Sequence, residues 1–333
     1  MEKLNNDIFN INKPLNYTIL EEIKNYSKIR FGYSFNFPVD NLPSTITHIT
    51  FDNRFNQFVN NLPSELECLI FGDDFNQSLD NLPSKLQSLT LGTYYYNNSL
   101  DNLPSGLKNL TLGWYYDRPI DNLPIGLKHI ILSNDFNQLV NNLPFELLSI
   151  KFGNKFNQPV DNLPSKLQII FFGDNFNQSV DNLPDELQNI TFGKEFNQHI
   201  NNLPSKLKNL ILDSWSFNQL IDNLPTGLQS LTFGLYFNQS VDSLPSELKN
   251  LTFEHYFNQR VDNLPSGLQN LTFGRNFNQS VDSLPAELKS ITFGREFNQP
   301  VNNLPIGLRS ITFGREFNQP IDKLPASLKI TRK

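Results

Sequence analysis

The dipeptide Leu-Pro recurs fifteen times between Leu42 and Pro325, and every step is 20 residues except two of 21. A fixed period of that size allows one small structural unit per repeat. Such a unit cannot bury its own apolar face, so neighbouring units must stack. The period therefore overrides the two or three ordinary domains that a length of 333 residues would suggest. Residues 291–300, ITFGREFNQP, return unchanged at 311–320, as two consecutive coils of one stack would. Both 21-residue steps carry their extra residue just before the second aromatic, at TYYYNN and DSWSFN, where a coil can bulge and keep its register.

The unit from Leu62 to Asn81 reads LPSELECLIFGDDFNQSLDN. Leu66, Leu69 and Phe71 follow the spacing L-x-x-L-x-F. Leu69 and Phe71 alternate with Cys68 and Ile70, the pattern of a short strand with one buried face. Gly72 is expected to free the backbone for a turn. Phe75 and Leu79 continue the inward set, and Leu62-Pro63 begins the return. Twenty residues cannot also hold a three-turn helix, so the back of each coil should be extended or a single 3₁₀ turn directed by Pro. Two Ala against 29 Phe agree with little helix.

The pattern L-x-x-L-x-F-G-x-x-F-N-Q-x-[VI]-[DN]-N-L-P runs over residues 29–330. Twelve coils carry Phe-Asn-Gln literally, from Phe55-Asn56-Gln57 to Phe317-Asn318-Gln319. On these residues the chain resembles the FNIP-repeat family, an offshoot of the leucine-rich repeats found in social amoebae and amoeba-infecting giant viruses. The expected fold is a β-rich solenoid, a leucine-rich-repeat-like curved coil stack. Its 20-residue repeats each supply one short parallel strand, with little α-helix. Residues 1–28 are expected to form an N-terminal cap or degenerate first coil, and 29–333 a single solenoid of about 15 repeats. Family members often carry an F-box-like or other N-terminal module. Twenty-eight residues are too few for one, so an adaptor role is not expected.

Stacking turns each repeat position into a column. Phe51, Phe71, Phe152, Phe172 and Phe192 begin one apolar column, and Phe55, Phe75, Phe136, Phe156 and Phe176 a second; both read as core. The Asn after the second Phe, from Asn36 to Asn318, is broken only by Asp117 and should satisfy turn groups coil after coil. Asp80, Asp101, Asp121, Asp161 and Asp181 form an edge column whose regularity suits turn capping rather than acid–base chemistry.

Signals of chemistry are few. His48, His129, His199 and His255 have no metal-ligand spacing, the glycines are single, and Cys68 has no partner His in a local signature. No catalytic, cofactor-binding or metal residues are assigned, no cofactor is expected, and an enzyme is not expected. A net charge of −6 gives no reason to expect nucleic acid. The chain shows neither a signal peptide nor a membrane-spanning run, and its single Cys suits a reducing compartment, so a cytoplasmic protein without a membrane partner is expected.

Function is then sought where the repeats disagree. Tyr94, Tyr95, Trp114 and Tyr115 fall at one turn of adjacent coils, and Tyr and Trp are favoured interface anchors. In the same place Tyr116-Asp117-Arg118 replaces Phe-Asn-Gln. Trp215, Tyr236 and Tyr256 form a second such group, again beside an extra-residue coil. Arg275, Arg295 and Arg315 stack as a third feature, read as a charge ladder neutralised by Asn276, Glu296 and Glu316, with an acidic partner as the other reading. The outer strand face carries a Thr column and a Lys column with several Gln, and Ile131, Ile169, Phe171 and Ile211 break that pattern. The expectation is a non-catalytic scaffold binding an unidentified protein partner through these variable positions. The alternative is a structural or assembly protein that self-associates through its surface or its open C-terminal edge.

Overall fold

The computed structural model describes residues 5–92, 94 and 96–333. β1 (Asn5–Ile11), α1 (Tyr17–Ile23) and β2 (Tyr26–Phe31) precede the first Leu-Pro. Asn16 caps α1 by accepting the Ile19 N–H at 2.9 Å. A strand of three or four residues then follows each of the fifteen Leu-Pro dipeptides, from His48–Phe51 to Lys329–Arg332. The fold class is a parallel β-solenoid with very little helix, as the repeat pattern predicts.

The chain divides into two compact units, Met1–Gln158 with Asn162–Leu167 and Pro159–Asp161 with Gln168–Lys333. In the first, strands from β1 to Ser149–Lys151 pair in parallel, each with the next. In the second, the same holds from Ile169–Phe171 to Lys329–Arg332. Register follows the repeat, so Asn250, Leu251 and Thr252 face Asn270, Leu271 and Thr272. Burial alternates along the strands from His48–Phe51 to Ser310–Phe313: in Asn189–Phe192 the second and fourth residues are buried. The back of the coil has no helix; Leu66 N–H closes a turn on Pro63 O at 3.1 Å, and this turn recurs after nearly every Leu-Pro.

Both Phe columns are core. Within a coil the two rings nearly touch, with Phe293 and Phe297 at 3.7 Å between centroids and 6° between planes. Between coils they continue at 5.8 Å (Phe273–Phe293) and 6.0 Å (Phe277–Phe297). Each buried ring contributes roughly 1.5–3 kcal/mol.

The expectation for the glycines needs correction. No glycine among the described residues has a positive φ; Asn41 alone does, at 63°. What glycine supplies is the lack of a side chain. A Cβ on Gly294 would lie 1.8 Å from the Gly274 carbonyl oxygen, so the coils approach there too closely for any other residue without a backbone shift.

Two polar ladders run beside the core. In the first, each column Asn accepts from the next coil: Asn258 Oδ1 takes the Asn278 N–H at 2.9 Å and Gln279 Nε2 at 3.2 Å. In the second, Asn102 Nδ2 donates to Asp80 Oδ1 at 2.9 Å, and Ser78 Oγ donates to the other Asp80 oxygen at 2.6 Å. These donors hold the Asp80 carboxyl below its ordinary range.

The first ladder needs an acceptor at this place, not an amide as such, because Asp117 fills the place with its carboxylate. Asn258→Ala should therefore lower unfolding free energy by about 1–2 kcal/mol, and Asn258→Asp by distinctly less, in urea denaturation followed by circular dichroism. Equal losses for the two variants would refute the acceptor account.

Candidate protein-binding surface

The coil with the first extra residue exposes rings that the regular coil lacks. Tyr94 follows the strand Ser88–Leu91, and its N–H donates to Asp73 O at 3.1 Å, which holds the bulge to the preceding coil. Trp114 and Tyr115 follow the strand Asn109–Thr111 in the next coil. Tyr94, Trp114 and Tyr115 are 42%, 55% and 46% exposed, and the Tyr94 and Tyr115 centroids are 6.1 Å apart. Tyr95 lies outside the described residues. Trp114 also borders a cavity of about 320 Å³ whose wall includes Ile131 and Lys151. Ile131 is one of the outward strand residues that break the Thr column, so these two irregularities share one hollow.

Beneath this surface the column changes from Phe to Tyr. Tyr96 and Tyr116 are buried and stack at 6.3 Å. Tyr116 Oη reaches Pro119 O at 3.5 Å, and burial pushes its phenol up to about 12. Tyr96 Oη is buried with no hydrogen-bond partner. Asp117 and Arg118 are exposed, and they also do the column's work. Asp117 Oδ1 accepts the Asn137 N–H at 2.8 Å and Gln138 Nε2 at 2.9 Å, while Arg118 donates to Asn97 O, as Gln does elsewhere.

At the second extra-residue coil the bulge is filled by Ser214, a buried hydroxyl that sequence reasoning passed over. Its Oγ donates to Phe196 O at 2.7 Å and accepts from the Phe217 N–H at 2.9 Å. Trp215 projects outward, 51% exposed, with Lys194 Nζ 5.1 Å from its ring centre. In the following coils Tyr236 and Tyr256 stack on each other at 4.7 Å and 15°. The Arg column is spliced across coils: Arg275 Nε meets Glu296 at 3.3 Å and Arg295 Nε meets Glu316 at 2.9 Å.

A further irregular stretch follows Leu-Pro, where most coils carry Ser. Ile125 and Phe145 stand there, 72% and 53% exposed, with Lys166 Nζ 4.2 Å from the Phe145 ring centre. Comparing that column position by position would have found them. Beside Phe145, Glu146 takes Lys128 at 2.6 Å and Lys166 as well, and these two donors lower its carboxyl from 4.5 to about 2.

Burial raises the Cys68 thiol above its ordinary value, the opposite of what a nucleophile needs. Among the described residues no group of three or more His, Cys, Asp or Glu is disposed to hold a metal, and no helix is long and apolar enough to cross a membrane.

A family model described as FNIP Repeat matches residues 55–94, 96–135, 156–195, 176–214, 196–236, 217–256, 257–295 and 297–330. No curated protein matches in sequence. Among solved structures, the chain is similar to CroV588, a circular leucine-rich-repeat protein of a giant virus. The two share 29% identity at a TM-score of 0.60, over 99% of this chain and 70% of that one. It is also similar to YopM from Yersinia enterocolitica, with 19% identity and a TM-score of 0.57 over 92% of this chain and 68% of that one. A third likeness is to a chain of the Toll–Spatzle complex of Drosophila, with 15% identity and a TM-score of 0.66 over 92% of this chain and 51% of that one.

Two outcomes follow from this geometry. Tyr96→Phe removes a buried hydroxyl that has no partner and should raise stability by about 1 kcal/mol in urea denaturation; a loss would mean that the hydroxyl is satisfied. Glu146 should titrate near pH 2 by carboxyl NMR, and Lys128→Ala should move that midpoint back toward 4.5. Because the folded value is depressed, whatever the Lys128–Glu146–Lys166 cluster adds to stability is present in full above about pH 4.5. It is lost as pH falls through about 2.

Proposed function

Since the chain belongs to the FNIP-repeat family, whose leucine-rich-repeat-like scaffolds are typical of protein–protein interaction modules, we propose that it is a non-catalytic scaffold that holds a protein partner on the Tyr94–Trp114–Tyr115 surface. The observation that carries this reading is three large, half-exposed rings on adjacent coils, next to the hollow that Trp114 shares with Ile131 and Lys151. Exposed Tyr and Trp give large contact area at low entropic cost, and a hollow beside them can seat a partner's anchor. Tyr95 is included on sequence alone. Asp117 and Arg118 are proposed as the rim of this surface, and Trp215, Tyr236 and Tyr256 as a second contact area. Toll, in its complex with Spatzle, is one solved case of a leucine-rich-repeat chain holding a protein.

Residues 1–28 are proposed as an N-terminal cap or degenerate first coil, a reading supported by five register pairs between β1 and β2. A cytoplasmic location is proposed on the single free thiol, Cys68. The second reading, self-association, draws on the exposure of all four residues of the strand Lys329–Arg332.

Affinity capture from amoebal lysate, read by mass spectrometry, tests the first reading. Wild type should retain a partner that the Tyr94/Tyr95/Trp114/Tyr115→Ser variant loses, with both proteins melting alike. The same partners on both would overturn the aromatic surface. Light scattering separates the readings: a monomer up to about 100 μM supports the scaffold, since self-association weaker than that is worth less than about 5.5 kcal/mol. Concentration-dependent growth supports assembly.

A further inference from the structure

The last coils carry a second, chemically different hollow. A cavity of about 400 Å³ lies at the C-terminal ends of the strands Asn270–Thr272, Ser290–Thr292 and Ser310–Phe313. Its floor is apolar, with Gly274, Gly294 and Gly314 along it and the buried Phe273 and Phe293 behind them. Its rim is cationic, with Arg275, Arg295, Arg315 and Lys333. Arg275 and Arg295 each meet a carboxylate through Nε, and a guanidinium has further donors on its Nη groups. Arg315 joins no ion pair among the described residues.

The surrounding charge points the same way. Over residues 270–333 Lys and Arg number nine and Asp and Glu five, a balance of +4, in a chain whose net charge is −6. The remaining 269 residues therefore carry −10. A local reversal of that size attracts an acidic ligand to this end while the rest of the chain repels it.

We propose that this groove binds an extended acidic peptide in which carboxylate and apolar side chains alternate. The carboxylates would meet the Arg rim and the apolar side chains the glycine floor. The spacing fits. Rings of successive coils beneath the groove are 5.8 Å and 6.0 Å apart, and alternate side chains of an extended peptide are about 6.6 Å apart. The mismatch over three coils is about 1.5 Å, within the reach of an Arg side chain. Single-stranded nucleic acid fits less well, because it is held by stacking bases on exposed rings. The Phe rings here are buried to within 1–2%.

The test is fluorescence anisotropy on the full chain with a labelled Glu-Leu alternating peptide of about nine residues, long enough to span three coils. The comparison probes are its Lys-Leu counterpart and a single-stranded oligonucleotide of equal charge. The Glu-Leu peptide should bind at least about tenfold more tightly than either comparison probe, with affinity falling as salt rises. Arg275→Gln/Arg295→Gln/Arg315→Gln should weaken it by at least about tenfold. Should that variant melt early, Arg315→Gln alone, which breaks no ion pair, should still weaken binding by about threefold. Trp114→Ser should leave this affinity unchanged, so the failure of the aromatic surface would not touch the groove. Equal binding of the oligonucleotide, an unchanged affinity in the Arg variants, or no peptide binding overturns the proposal.

Discussion

The contact between one coil and the next is the constraint on which the rest depends, and it is not uniform around the coil. Paired parallel strands sit about 4.8 Å apart, and there backbone N–H and C=O groups meet directly. At the second ring column the ring centroids of successive coils are 6.0–6.3 Å apart. Just before that ring, backbone N–H groups still reach the preceding coil directly, as Glu296 N–H does to Arg275 O at 2.9 Å. At the residue after that ring the Asn column makes the link, reaching out a side-chain oxygen to the next coil's backbone N–H at 2.9 Å. Gly294 marks the opposite condition, a place where coils come so close that a Cβ has no room. Two of the most repeated small letters of the unit thus serve the contact between coils, with Asn where a side chain bridges them and Gly where they crowd.

That division also explains where variation is allowed. An extra residue before the second Phe is tolerated because it falls between strand and ladder, and each bulge is then resolved by its own device. In one coil Ser214 gathers Phe196 O and the Phe217 N–H, and in the other the column itself changes to Tyr96 and Tyr116. The added length cannot go inward, since the ring columns are filled. Tyr94 and Trp215 therefore point out, and both candidate contact areas arise beside the two places where the period breaks.

Much of this was legible from the letters. The Leu-Pro period, the L-x-x-L-x-F spacing and the two Phe columns gave strands, core and stacking order, because burial and pleat repeat with the sequence. The role of glycine is not legible there, since a close backbone approach leaves no mark in the letters that differs from a turn. The letters set each Glu beside the Arg of its own coil, whereas in the structure Arg275 and Arg295 reach Glu296 and Glu316 of the next, 21 residues on. Tyr94, Trp114 and Tyr115 could be grouped from spacing. Their link to Ile131 could not, because it depends on how the strand end and the following turn enclose one hollow. Ile125 and Phe145 were visible in their column as departures from Ser.

A solenoid of this kind separates stability from recognition by position. A core column is shared by every coil, so a substitution there disturbs two interfaces and meets a close-packed neighbour on each side. The exposed turn residues contact at most the coil before and the coil after. Tyr94, Trp114 and Tyr115, or Arg275, Arg295 and Arg315, can therefore differ in chemistry while the Phe columns under them remain nearly the same. Stacked rings continue beneath both areas, as Tyr96–Tyr116 at 6.3 Å and as Phe277–Phe297 at 6.0 Å. The same supporting geometry presents an aromatic surface in one place and a cationic groove in another, so on such a scaffold a change of ligand class requires new turn residues and no new fold.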